Sequence, residues 1–120
     1  MTTDSPPVPL ILLVGGDLNA QARIDDAARR AGGELRRVTP EGLATEIAAG
    51  APSLVVIDLD EVGAEILDAI AGNADPPVIA YFSHVDVALG ERAKEAGFDA
   101  LPRGRFWREL PSLVEAALTG

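Results

Sequence analysis

Apolar residues fall in short blocks along this chain, and Ala-rich stretches with helical spacing separate them. LILLV (10–14), SLVVID (53–58) and PPVIAYF (76–82) are nearly continuous apolar runs, the pattern of strands covered on both faces. Prolines open the third run, where no ladder donor is lost. GELRRV (33–38) alternates like a strand at a sheet edge, and FDALP (98–102) reads as a short last strand. SLVVID ends abruptly on Asp58, with Asp60 two places later. A carboxylate at the edge of an apolar core needs water, a partner or a metal.

The intervening spacing predicts five helices. Asp17 or Asn19 caps the first, Ile24, Ala27, Ala28 and Ala31 form its inner stripe, and Gly32-Gly33 stops it. Thr39-Pro40-Glu41-Gly42 reads as an N-cap with proline at the first helical position, opening a helix that runs to Gly50. Residues 61–72 are helical, with Ile66, Leu67 and Ile70 inward and Gly72-Asn73 at the end. Asp86 caps a fourth helix that ends at Gly97. The last covers roughly 107–118, with Pro111 inside it unless the helix proper starts near Leu110.

Strands joined by helical crossovers run parallel and need helices on both faces. Five strand–helix units predict a flavodoxin-like, doubly wound five-stranded parallel sheet in the order 2-1-3-4-5. The result is a three-layer α/β/α domain over 10–120 behind a frayed arm, 1–9. Ligands of such a sheet sit beyond the C-terminal strand ends, near the switch point between strands one and three. Those ends are Gly15-Gly16-Asp17, Asp58, Phe82-Ser83-His84 and Pro102-Arg103-Gly104.

Composition narrows the chemistry available there. The 120 residues suffice for one core, and 48% hydrophobic with 24% charged residues is the balance of a soluble globular domain. With 19 acids against 10 bases the net charge is −9, which repels phosphate backbones and argues against nucleic acid as a partner. The chain has no cysteine and one histidine, His84, so thiolate and transition-metal sites are not expected. His84 shares one short loop with Ser83 and Asp86, and three such neighbours do not converge as a catalytic triad. Gly15-Gly16 could cradle a phosphate, but GGDLNA lacks a third glycine and the Lys-Ser/Thr pair, so it reads as a turn. The polar, Pro-rich start and the shortness of LILLV support neither a signal peptide nor a membrane span, and the expected location is cytoplasmic.

Four stretches together resemble the receiver domain of two-component response regulators, from about Leu10 to Leu118. LILLVGGDLNA resembles the first receiver strand and its acidic turn, and APSLVVIDLD the strand that ends on the phospho-acceptor aspartate. PPVIAYFSHVD resembles the fourth strand with its switch hydroxyl, and EAGFDALPRGRFWREL the segment leading to the phosphoryl-contacting lysine and the last helix. The resemblance implies that Asp58 is the phospho-acceptor candidate. It also implies a magnesium ion on hard oxygen ligands, because phosphoryl transfer relies on charge neutralisation and positioning.

Several positions depart from that pattern. Gly15 and Gly16 match the magnesium-binding acid pair, which leaves Asp17 one place late. Phe82 stands at the switch-hydroxyl position with Ser83 next to it, and Gly104 stands at the lysine position between Arg103 and Arg105. Asp60-Glu61-Val62-Gly63 compresses the loop after Asp58. The expectation is therefore a degenerate receiver, with Asp17, Asp60, Ser83, Arg103 and Arg105 as its vestigial pocket. Asp17 and Asp58 are weak magnesium candidates, and neither a metal site nor another cofactor is expected.

RGRFWREL (103–110) concentrates three of the ten bases in six residues, around Phe106 and the sole Trp107. Arginine and tryptophan are favoured at interface hot spots, so Arg105, Trp107 and Arg108 form the candidate partner surface, with core anchoring as the competing role for Trp107. The expected function is a stand-alone, non-enzymatic pseudo-receiver that binds a protein without being phosphorylated. The resemblance points to a histidine kinase or an output protein as partner, or to a homodimer; neither nucleic acid nor membrane is expected. One alternative is a working phospho-acceptor on Asp58 with an atypical magnesium pocket, and a second is a small-ligand-binding flavodoxin-like domain.

Overall fold

The apolar blocks become the strands of one sheet. In a computed structural model, which describes residues 8–50, 52–63, 65–70, 76–83, 87–95 and 98–119, they are β1 (Leu10–Val14), β2 (Glu34–Val38), β3 (Leu54–Asp58), β4 (Val78–Phe82) and β5 (Asp99–Pro102). Their order is β2-β1-β3-β4-β5 and every pairing is parallel. All five residues of β3 and of β4 are buried, whereas the edge strand β2 is largely exposed. This is the doubly wound sheet expected from the continuous apolar runs.

The pleat sorts side chains to two cores. Leu12, Val14, Val55, Ile57, Ala80 and Phe82 face one side with Leu43, Leu59 and Ile66. Ile11, Leu13, Val56, Ile79 and Tyr81 face the other with Ile24, Ala28, Phe106, Leu110 and Val114. Asp58 is paired with Tyr81 across β3 and β4, so both side chains belong to the second face.

Six helices flank the sheet among the described residues. α1 (Leu18–Arg30) starts after Asp17, whose side chain accepts the Ala20 N–H at 2.8 Å. Asp17 is thus the N-cap, and Gly32 follows the helix at φ +85°. α2 (Leu43–Gly50) begins later than Thr39-Pro40 suggests. Thr39 instead closes a turn, accepting the Gly42 N–H on both its carbonyl and its Oγ1 at 3.1 Å.

The expected 61–72 helix is two pieces, α3 (Leu59–Val62) and α4 (Glu65–Ile70). Its first turn follows β3 without a linker because Asp58 itself caps it, and Gly63 ends that turn at φ +81°. α5 (Val87–Glu95) follows β4. The cap assigned to Asp86 and the ends assigned to Gly72-Asn73 and Gly97 lie outside the described residues, as does most of the 1–9 arm. None of these helices is long and apolar enough to cross a membrane.

α6 (Arg103–Thr119) corrects the sequence reading most. It starts at Arg103, directly after β5, and continues through Pro111. Phe106, Leu110 and Val114 recur at helical spacing and are buried, so packing of this stripe outweighs the N–H that proline lacks. Two substitutions test this balance in urea denaturation. Pro111→Ala, at an exposed position, should stabilise the protein by about 1–3 kcal/mol. Ile57→Ala in the central strand should destabilise it by about 2–5 kcal/mol.

Candidate functional site at the strand ends

Asp58 is the one charged residue among those described that is buried, at 4% exposure of the whole residue. Three segments meet on its carboxylate. The Glu61 N–H donates to Oδ1 at 3.2 Å, which is the α3 cap. The Tyr81 hydroxyl on β4 donates to Oδ2 at 3.3 Å. The Arg103 guanidinium, from the first residue of α6, lies 3.4 and 3.5 Å from the two oxygens and donates to Asp60 at 3.1 Å. Its carbon also sits 5.1 Å from the centre of the Tyr81 ring. No buried side-chain polar atom is left without a partner among the described residues.

The structure thus gathers Asp58, Asp60 and Arg103 of the expected pocket and separates the others. Asp17 points into its own helix as a cap. Arg105 donates to Glu109 at 2.6 Å along α6 and does not reach Asp58. Ser83 is half-buried just past β4 and makes no hydrogen bond to this cluster. Phe82 is buried in the opposite core, and His84 lies outside the described residues. Tyr81 is the member that sequence reasoning missed. Its signal was the strand alternation: counted along the pleat, Tyr81 and not Phe82 shares a face with Asp58.

The turn after β1 shows why a magnesium ion does not fit the residues present. Gly15 and Gly16 have φ of +80° and +89°, backbone that side-chain-bearing residues adopt only under strain. A Cβ on Gly15 would come within 2.6 Å of the Glu61 carboxylate and 3.1 Å of Val62, so a side chain there would require Glu61 to shift. Among the described residues no three potential ligands converge to hold a metal. The charge beside Asp58 is a guanidinium, which repels a second cation.

The proposed partner surface also divides. Trp107 is half-buried, turned towards α1 and the core, with the Tyr81 and Phe106 rings 5.5 and 4.9 Å away. The Arg23 guanidinium of α1 lies over it at 4.3 Å. Arg105 is two residues away, about 200° round the helix, and is exposed, as is Arg108. The three residues therefore form no single patch, and Trp107 acts as an anchor between α1 and α6. Beside it lies a groove of about 440 Å³ whose lining combines apolar Ala27, Ala31, Leu110 and Pro111 with charged residues of both signs from α1 and α6.

No protein-family model matches the chain, and no curated protein matches it in sequence. Solved structures match it closely in shape. A response regulator from Thermotoga maritima superposes with a TM-score of 0.74 at 17% identity, over 95% of this chain and 100% of that one. The receiver domain of a putative Luxo repressor protein from Vibrio parahaemolyticus gives 0.73 at 24% identity, over 94% and 92%. A receiver protein from Pseudoalteromonas atlantica gives 0.75 at 18%, over 93% and 98%. The chain has the receiver fold. Within it, Asp58 ends the third strand, and Arg103 and Tyr81 form its immediate surroundings.

These surroundings set the acidity of the site. Burial raises the Asp58 carboxyl above its ordinary 3.8, and the Arg103 charge, the Glu61 N–H and the Tyr81 hydroxyl offset this only in part. Burial and the Asp58 charge push the Tyr81 hydroxyl up as well, so it stays protonated and donates. A raised carboxyl means the folded state holds the proton more tightly than the unfolded one. Its stabilising contribution is complete below 3.8 and is lost as pH rises through the raised value. Asp58→Asn, which keeps an oxygen for the Glu61 N–H, should therefore raise Tm at pH 7. That gain should shrink as the pH approaches 4, measured by thermal denaturation of both proteins across the range.

Proposed function

We propose that this receiver-fold chain is a signalling module that acts by binding a protein and does not accept a phosphoryl group. One observation carries the reading: the Asp58 carboxylate is already engaged by Arg103, Tyr81 and the α3 cap. An acceptor aspartate must present a free oxygen beside a divalent cation. Here the oxygens point to an internal cation, and a glycine turn packed against Glu61 replaces the acid pair. Activity as an enzyme is not part of this reading.

The partner is a protein, either a kinase or output component of a signalling system or a second copy of the chain. The exposed Arg105 and Arg108 on the outer side of α6 are the side chains proposed to meet it. A small-ligand role has less support, because neither glycine of the β1 turn lies in a phosphate-binding motif.

Acetyl phosphate, or beryllofluoride with magnesium, tests the reading directly. The expected result is no mass increase on the intact protein and no change in the fluorescence of Trp107, which lies 5.5 Å from Tyr81 beside the site. A mass increase that Asp58→Asn abolishes would establish the alternative, a phospho-acceptor with an atypical pocket.

A further inference from the structure

We infer that Arg103 is a resident counter-ion: it does the charge-neutralising work of a divalent cation at Asp58 and, by its presence, closes the site to one. The inference deepens the phosphorylation-independent reading and rests on it. Arg103 is the first residue of α6, and its guanidinium bridges the carboxylates of Asp58 and Asp60, as a metal ion between two oxygen ligands would. The bridged carboxylates differ in depth. The Asp58 side chain is 6% exposed and that of Asp60 28%, so one guanidinium is shared between a buried and a partly buried charge. Tyr81 completes the unit, its ring face against Arg103 and its hydroxyl on Asp58. Without Arg103 the Asp58 and Asp60 carboxylates would be left close together with no positive charge between them.

The same contact has a mechanical side. It ties the first residue of α6 to β3 and the first turn of α3. In a site neutralised by a diffusible ion, occupancy follows concentration. Here the cation is covalently part of the chain, so occupancy is fixed.

Manganese titration of the full chain tests this, with Mn²⁺ as the probe and its binding read by electron paramagnetic resonance and by Trp107 quenching. Arg103→Gln keeps a hydrogen-bonding side chain but removes the charge, and should bind Mn²⁺ at least about tenfold more tightly than the unaltered protein. Adding Asp58→Asn to that variant should abolish the gain. Arg103→Lys keeps the charge and should behave like the unaltered protein, with circular dichroism confirming that each variant is folded. The inference is overturned if Arg103→Gln binds no more tightly than the unaltered chain, or if Arg103→Lys gains as much. Either result would leave a silent acetyl phosphate experiment standing, whereas phosphorylation of the unaltered protein would overturn the functional reading itself.

Discussion

Two-sided burial of the central strands is the constraint from which the rest of this molecule follows. β1, β3 and β4 expose almost nothing, so helices must cover both faces, the crossovers must be helical and the strands must run parallel. Parallel strands bring all their C-terminal ends to one edge of the sheet, where backbone can leave the core. Asp58 sits at that edge on the middle strand, with β1 on one side and β4 on the other. It is therefore the position where a charge is both deepest and still reachable from the connecting segments.

A charge so placed has to be answered. The chain answers it from three directions with groups of different kinds: a backbone amide from α3, a neutral hydroxyl from β4 and a full positive charge from α6. The amide comes with the helix that starts immediately after the strand. The hydroxyl comes from the pleat. The guanidinium comes from the most distant part of the chain, 45 residues on, against 23 for the hydroxyl. A site assembled in this way carries its positive charge within the chain.

The fold was legible because its signal is long and redundant. Three apolar runs, a Gly-Gly stop and periodic apolar stripes all agree; the sheet order is the expected one, and strand bounds differ from expectation by a residue or two. Helix starts were harder to read. Asp58 caps its own following helix and Arg103 opens the last one, so two residues treated as loop chemistry are also structural termini. The site was only partly legible. Asp58, Asp60 and the two arginines stand out by type, but which arginine turns inward depends on where α6 begins, and Pro111 obscured that. Tyr81 was hidden because side-chain direction in a strand depends on register, and a shift of one residue exchanges the two faces. Trp107 looked like a surface hot spot by composition, while its contacts with Tyr81, Phe106 and Arg23 are tertiary.

The left-handed turn at Gly15-Gly16 makes the present state of the site hard to reverse. An acid introduced at either position would have to adopt a backbone conformation that suits glycine, and at Gly15 it would also require the Glu61 side chain to shift. The two positions therefore favour glycine on backbone grounds alone, whatever the neighbouring side chains do. An acid pair placed there would strain the turn before it could serve as a pair of ligands.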